Sequence, residues 1–210
     1  MIRFFNTHDG RRPGAVRFLV AAAVVACAAL PGARDAAAAD PAPSAEVTVW
    51  ENRGTYSVTA RFVVPESADV VLAVLADYER IPRFMPDVRS SVVLERAPGR
   101  IVVEQEAVAK FMMFSKQVHL VLEVSDGGNT LTFVDRCGKS FKSYAGAWRT
   151  EPLDGGTLVT YELTARPGFE VPEFILKRLL KRDSGVMIHR LRSEFAARAR
   201  DSRRDPDSHP

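Results

Sequence analysis

Cysteine is scarce in this chain of 210 residues, and no hydrophobic run is long enough to cross a membrane. The two cysteines are Cys27 and Cys137. If Cys27 is removed with an N-terminal leader, no intramolecular disulfide can form, so the hydrophobic core has to supply the stability. The apolar run at residues 18–30 has thirteen residues, whereas about twenty are needed to span a bilayer. We therefore interpret this run as part of a leader and not as an anchor.

Residues suited to metal binding are also few. Of the four histidines, His8 and His209 lie in terminal segments, His119 on the solvent-facing side of a predicted strand, and His189 away from the apolar side of a predicted helix. None has a partner at metal-ligand spacing, so we expect no metal site. Glycine pairs fall in predicted hairpins and do not form a phosphate-binding loop, and we expect no cofactor.

Two features leave an enzyme open as an alternative. Glu104 and Glu106 lie two residues apart on a predicted strand and so share a face, as an acid/base pair would. A solvent-exposed strand face is the favoured explanation of these two residues. Cys137 follows Asp135 and Arg136, but a nucleophilic thiol needs a dedicated base, and the sequence offers none. We therefore expect no catalytic residue, and a binding protein is favoured over an enzyme.

The N-terminal region carries the excess positive charge of the chain. The formal net charge is +3, and residues 1–39 hold five arginines and two aspartates. A basic region, the apolar run and the small residues that end at Ala39 together have the form of a signal peptide. We expect cleavage after Ala39 and a periplasmic or secreted, formally neutral protein. Two alternatives are a lipoprotein signal that anchors the protein through Cys27 and a twin-arginine signal at Arg11 and Arg12.

The rest of the chain has the length of a single domain. Residues 40–45 are rich in proline and alanine and are interpreted as a linker, and residues 201–210 are polar and interpreted as a disordered tail. Residues 46–200 are long enough for one hydrophobic core.

The order of predicted elements indicates the fold class. One strand, broken or bulged, covers residues 47–64, and Ser67 is the predicted N-cap of a helix that ends before a second short helix near Pro82. From residue 88 to residue 165 the hydrophobic pattern has period two, interrupted by turn residues, as in an antiparallel meander. In residues 114–124 this alternation places Val118, Leu120, Leu122 and Val124 on the face predicted to be buried. A long helix follows Pro172, with an apolar side formed by Leu176, Leu180, Met187, Leu191 and Phe195. We predict an α+β fold in which a curved antiparallel sheet of about six to seven strands wraps around this helix.

Several motifs carry a resemblance to a known superfamily. They are Asp-Tyr-x-x-x-Pro-x-Phe-x-Pro at residues 77–86, Gly-Ala-Trp-Arg at 146–149, residues 156–161, and the helix that begins at Pro172. Together they resemble the START-related SRPBCC superfamily, and within it the polyketide cyclase/dehydrase and lipid-transport group that includes the coenzyme Q binding proteins. The resemblance covers nearly all of residues 45–200. It implies a helix-grip fold with a cavity between the sheet and the C-terminal helix that holds a hydrophobic small molecule.

The residues allow such a cavity, although an ordinary filled core is the alternative. Ser184 and Gly185 remove side-chain volume in the middle of the closing helix, and a group of phenylalanines and methionines, including Met112 and Met113, supplies pliable apolar surface. Gln105, Tyr144 and Tyr161 are the candidate polar contacts. The predicted ligand-binding residues are Phe84, Met85, Val103, Gln105, Phe111, Phe114, Phe133, Tyr144, Trp148, Tyr161, Leu180, Ser184, Met187 and Leu191.

The favoured function is that of an exported binding protein or carrier for a lipid, an isoprenoid quinone or a fatty acid. The alternatives are a polyketide cyclase/dehydrase-like enzyme acting on an aromatic or hydrophobic substrate, and an interaction module with a filled core. The closing helix is basic, and Lys177, Arg178, Lys181 and Arg182 suit a transient contact with an anionic membrane surface. Simple solvation of the helix explains these residues equally well. Nucleic acid is not an expected partner.

Overall fold

The computed structural model describes residues 45–111, 114–170 and 172–204, with the backbone alone for Phe111 and Phe114. The predicted signal peptide, Cys27, and Met112 and Met113 of the predicted pliable apolar surface lie outside the described residues, as does most of the predicted linker.

Eight antiparallel strands form a single sheet in the order β1-β2-β8-β7-β6-β5-β4-β3. Each strand from β3 to β7 pairs with the next one along the chain, which confirms the predicted meander. Register shifts in β3 and β7 mark irregular pairing of the kind that bends a sheet. The strands are β1 Glu46–Asn52, β2 Thr55–Val64, β3 Val88–Ala97, β4 Arg100–Phe111, β5 Phe114–Asp126, β6 Thr130–Asp135, β7 Phe141–Leu153 and β8 Gly156–Pro167.

The strand count is slightly higher than the predicted six to seven because the first predicted strand is a hairpin. Arg53 and Gly54 both have a positive φ, of 51° and 77°, and this reverses the chain so that β1 folds back on β2. A turn with two positive φ angles joins two paired strands, whereas a bulge would have left one continuous strand. β2 then pairs with β8 and joins the hairpin to the meander.

Two short helices and a long one complete the fold. α1 spans Ala68–Leu75, and the side chain of Ser67 accepts a hydrogen bond from the Val70 amide, which confirms the predicted N-cap. After one turn of 3-10 helix, α2 spans Ile81–Phe84. α3 spans Glu173–Arg204.

α3 continues four residues beyond the predicted end of the domain. The first four residues of the segment predicted to be a disordered tail are therefore helical. Alanines at 196, 197 and 199 favour this conformation, and Arg203 and Arg204 lie in the last turn, where positive charge is favourable.

The core lies between α1, α3 and the sheet. Phe195 and Ile188 of α3 are almost completely buried and belong to one hydrophobic cluster with Val71 and Val74 of α1. Burial of a side chain such as Phe195 contributes about 2 to 3 kcal/mol. Near the same end of α3, Arg198 pairs with Asp77 at 2.8 Å. Among the helices of the described residues, none is both long and apolar enough to cross a membrane.

Candidate functional site

A cavity of about 780 Å³ lies between the sheet, the α1–α2 region and the middle of α3. Its volume falls within the range of small-molecule sites, roughly 300 to 1,000 Å³. Most of the residues predicted to line a cavity do so: Phe84, Met85, Gln105, Phe133, Tyr144, Trp148, Tyr161, Leu180, Ser184, Met187 and Leu191. The structure therefore brings these residues together around one space, while their role in ligand binding stays a prediction.

Three predicted residues are not placed in this lining. Val103 is completely buried in the hydrophobic core cluster and does not line the cavity. It lies on the same side of β4 as Gln105, but neighbouring side chains separate it from the space. The side chains of Phe111 and Phe114 lie outside what the structure describes.

Gly185 does not lie over the cavity, where it was predicted to remove side-chain volume together with Ser184. Ser184 is buried and faces the cavity, whereas Gly185 is exposed on the outer side of α3, where an added Cβ would meet no atom within 4 Å. Gly185 is absent from the residues that line the cavity and instead borders a depression on the outer side of α3. Only Ser184 contributes to the reduced side-chain volume over the cavity.

Aromatic rings from three adjacent strands form the floor of the cavity. Trp148 of β7 and Tyr161 of β8 are cross-strand partners with ring centroids 4.3 Å apart. Phe133 of β6 lies 5.9 Å from Tyr144 and 6.4 Å from Tyr161. Aromatic contacts of this kind stabilise the sheet beyond the area they bury, and they hold a flat apolar surface toward the cavity.

The polar groups of the interior are uncharged at neutral pH. Gln105 donates a hydrogen bond from Nε2 to Ser91 Oγ at 3.2 Å. Tyr144 and Tyr161 both line the cavity, and each affects the pKa of the other. Burial raises the pKa of Tyr161 well above its usual value, with a further contribution from Tyr144, and burial also raises the pKa of Tyr144. The interior therefore offers hydrogen-bonding groups without fixed charge.

The ionisable side chains that line the cavity, apart from tyrosines, lie together at its mouth. The mouth is formed by Asp87 after α2, Lys110 near the end of β4, and Arg182, Asp183 and Arg190 of α3. All of these except the half-buried Arg190 are exposed.

Charged contacts join the elements around the mouth. Lys110 Nζ lies 3.4 Å from Asp87 Oδ1, and Arg182 pairs with Asp183 at 2.8 Å. Arg182 Nη2 also donates to the Lys110 carbonyl at 3.1 Å, which links α3 to β4. Partial loss of hydration raises the pKa of Asp183, which is about half exposed, and although Arg182 opposes this, the Asp87 charge adds to it. Charge is thus concentrated where the cavity meets solvent.

The residues considered for catalysis lie away from the cavity. His119 on β5 is flanked by Glu104, 3.5 Å from Nε2, and by Glu106, 3.8 Å from Nδ1. Both glutamates flank Gln105 in sequence, and side chains alternate along a strand, so they lie on the opposite face of β4 from Gln105. Cys137 Sγ donates to Asp135 Oδ1 at 3.2 Å, and neither residue lines the cavity. These groups are not positioned to act on a molecule inside it.

No metal site is present among the described residues, since no group of three potential ligands comes together there. Sequence reasoning did not select several cavity residues from α1 and the sheet, although the period-two pattern had already placed Leu122 and Val124 on a buried face. It also did not select the charged residues at the mouth, because no sequence pattern indicates that they meet. The unselected apolar and aromatic lining residues include Val74, Leu75, Tyr78, Leu122, Val124, Leu131 and Leu163.

The cavity lies within the part of the chain that matches a known family. Residues 64–192 match the family described as polyketide cyclase/dehydrase and lipid transport. The chain belongs to this family. No curated protein matches the chain.

Solved structures agree with this assignment at the level of the fold. A STAR-related lipid transfer protein fragment from Xanthomonas axonopodis is 22% identical, with a TM-score of 0.60, over 75% of this chain and 97% of that chain. A START superfamily protein from Mycobacterium smegmatis is 18% identical with a TM-score of 0.60, over 67% and 97% of the two chains. The Zhui aromatase/cyclase from a Streptomyces species is 17% identical with a TM-score of 0.60, over 69% and 96%. The protein therefore has the helix-grip fold that the sequence resemblance implied.

Proposed function

We propose that this protein binds and carries a hydrophobic small molecule, such as a lipid, an isoprenoid quinone or a fatty acid, without transforming it. The observation that carries the proposal is the distribution of polarity in the cavity. Its interior is lined by aliphatic and aromatic side chains with neutral polar groups, and the charged side chains lie at its mouth. Such a cavity favours a guest with a large apolar part.

Solvation supplies the driving force for binding. Each 100 Å² of apolar guest surface that leaves water contributes about 2.5 kcal/mol. Immobilising the guest costs several kcal/mol, so a long apolar chain binds more tightly than a small fragment does. The flat aromatic floor formed by Phe133, Trp148 and Tyr161 suits either an acyl chain or a ring system.

A carrier is favoured over a polyketide cyclase/dehydrase-like enzyme because of where the titratable groups lie. Glu104 and Glu106, the pair considered for acid/base chemistry, are outside the cavity, and both contact His119, which does not line it either. The names of the similar structures include both a lipid transfer protein and an aromatase/cyclase. The choice between a carrier and an enzyme therefore rests on the positions of these side chains. Similarity of fold does not decide it, because the similar structures include both kinds of protein.

The proposed carrier works outside the cytoplasm and exchanges its guest at an anionic membrane surface. The first part rests on the leader-like sequence of residues 1–39. The second rests on the first turns of α3, where Arg178 and Lys181 are exposed and Phe174 is 75% exposed. An exposed aromatic ring beside cations suits the boundary between lipid head groups and acyl chains.

Organic extraction of the purified mature protein, with native mass spectrometry before and after, tests the proposal. We expect a co-purifying hydrophobic molecule, or uptake of an added fatty acid or quinone by the extracted protein. Met187→Trp fills the cavity and should reduce uptake, since Met187 lines it. Leu153→Trp, at an exposed residue of β7 outside both the cavity and the outer side of α3, is the control and should bind as the wild type does. A folded wild-type protein that takes up no such molecule would overturn the proposal.

A further inference from the structure

Arg190 of α3 lies between two spaces. Its side chain, like that of Arg182, lines the cavity and also a second depression of about 730 Å³ on the outer side of α3. Phe84 borders both spaces, and His189 and Ser193 line the outer one, which we call the outer groove. The half-buried guanidinium therefore lies where the apolar interior meets a polar, solvent-exposed surface.

Arg190 differs from the neighbouring cations of the mouth, Lys110 and Arg182, in its electrostatic partners. Lys110 pairs with Asp87, and Arg182 pairs with Asp183. Arg190 forms no ion pair with any residue that the structure describes; its hydrogen bond runs from Nη1 to the Phe84 carbonyl at 3.4 Å.

The nearest carboxylate along α3 is also engaged elsewhere. Glu194 lies one turn beyond Arg190 and lines the outer groove, but it pairs with Arg198 at 3.4 Å. Arg198 in turn pairs with Asp77 at 2.8 Å, so these three side chains form their own cluster. The Arg190 guanidinium has five N–H donors, and a single long bond to a carbonyl leaves most of them available to an anion.

We propose that the guest is an amphiphile with one acidic head group, and that Arg190 is the residue that selects it. The inference rests on the proposed function and narrows it to one class of guest. The apolar tail lies over the aromatic floor, and the carboxylate pairs with Arg190 at the junction with the outer groove. A planar guanidinium binds a carboxylate through two parallel hydrogen bonds, which a neutral quinone or alcohol cannot reproduce. At this junction the head group keeps part of its hydration, which avoids the cost of burying a charge.

Dodecanoic acid and 1-dodecanol test the proposal, because they share a chain length and differ in the charge of the head group. Dissociation constants are measured at pH 8, where the acid is ionised, for the wild type, Arg190→Gln, Arg190→Lys and Arg200→Gln. Arg200 is an exposed arginine of α3 outside both spaces and serves as the control. Thermal melting shows that each variant is folded.

We expect the wild type and Arg200→Gln to bind the acid about tenfold or more tightly than the alcohol, since a hydrogen bond to a charged group has that effect. Arg190→Gln should lose the preference by weakening acid binding alone, and Arg190→Lys should keep part of it. Equal binding of acid and alcohol by the wild type, or an undiminished preference in Arg190→Gln, would overturn this inference and leave the carrier function standing. Failure of the wild type to bind the acid, the alcohol and a quinone would overturn the carrier function itself.

Discussion

The ring of Phe133 occupies the space that a side chain at Gly146 would need. The two residues are direct partners on β6 and β7. A Cβ built on Gly146 would overlap the Phe133 ring and the Glu162 carbonyl of β8. Glycine at this position therefore lets an aromatic ring lie close against the neighbouring strand, and it helps to keep the cavity floor flat.

Gly146→Ala should destabilise the protein by about 1 to 3 kcal/mol, because the Glu162 carbonyl belongs to the backbone and cannot move aside freely. Urea unfolding measures the change. Gly185→Ala is the control, since a Cβ there meets nothing and alanine favours a helix; it should stabilise the protein by about 0.5 to 1 kcal/mol. Equal stability of Gly146→Ala and the wild type would contradict the close packing described here.

The two tryptophans should report differently on cavity binding. Trp148 lines the cavity, whereas Trp50 is 68% exposed on β1. In a Trp50→Phe variant, fluorescence comes from Trp148 alone and should change when dodecanoic acid is added. In a Trp148→Phe variant, fluorescence comes from Trp50 and should stay constant. A response from Trp50 instead would place the guest elsewhere on the protein.

All four tyrosines of the chain have raised pKa values. Burial is the largest cause for each, and for Tyr78 it raises the pKa to about 12, with a contribution from the Asp126 charge. We expect the folded protein to show less phenolate absorbance at pH 10 than the unfolded chain, which is about half ionised there.

The same shifts make stability depend on alkaline pH. The folded state holds its phenolic protons where the unfolded state has begun to lose them, so the free energy of unfolding should fall as the pH rises from about 10 to about 12. Urea unfolding across this range measures the decline. A Tyr78→Phe variant should decline less steeply, and an equally steep decline would show that Tyr78 does not contribute.

Release of the guest should depend on the contacts across the mouth. Arg182→Ala removes the hydrogen bond between α3 and the Lys110 carbonyl of β4. We expect faster dissociation of a bound fatty acid, with a stability change within about 0.5 kcal/mol because Arg182 is exposed. Stopped-flow displacement by an excess of a fluorescent fatty acid measures the rate. Arg200→Ala on the same helix is the control, and identical rates in all three proteins would exclude a gating role for Arg182.

Local patterns were sufficient to predict the fold. Alternation in β5 placed Leu120 and Val124 on the buried face, where the structure has them, and Ser67 marked the start of α1. These features depend on residues close in sequence, for which periodicity and capping chemistry are direct physical signals. The extra strand was missed because Arg53, a residue that seldom adopts a positive φ, does so in the β1–β2 turn.

The cavity was harder to predict because its shape depends on distances between elements. Alternation places Val103 and Gln105 on one face of β4, but it does not tell which of them reaches the open space and which is packed into the core. The same limit applies to α3, where Ser184 lines the cavity and Gly185 borders the outer side of the helix. Arg190 lies beside Phe84 although the two residues are 106 positions apart in the sequence. No local sequence pattern predicts a contact over that separation.

Several side chains belong to the core cluster and to the cavity wall at once, among them Val124, Tyr161, Leu163 and Leu191. A molecule that occupies the cavity would therefore complete the packing of the hydrophobic core as well as being carried by the protein. The melting temperature of the protein should then rise with the concentration of the occupant. Mutations that enlarge the cavity would be tolerated where the occupant is abundant and would be harmful where it is scarce.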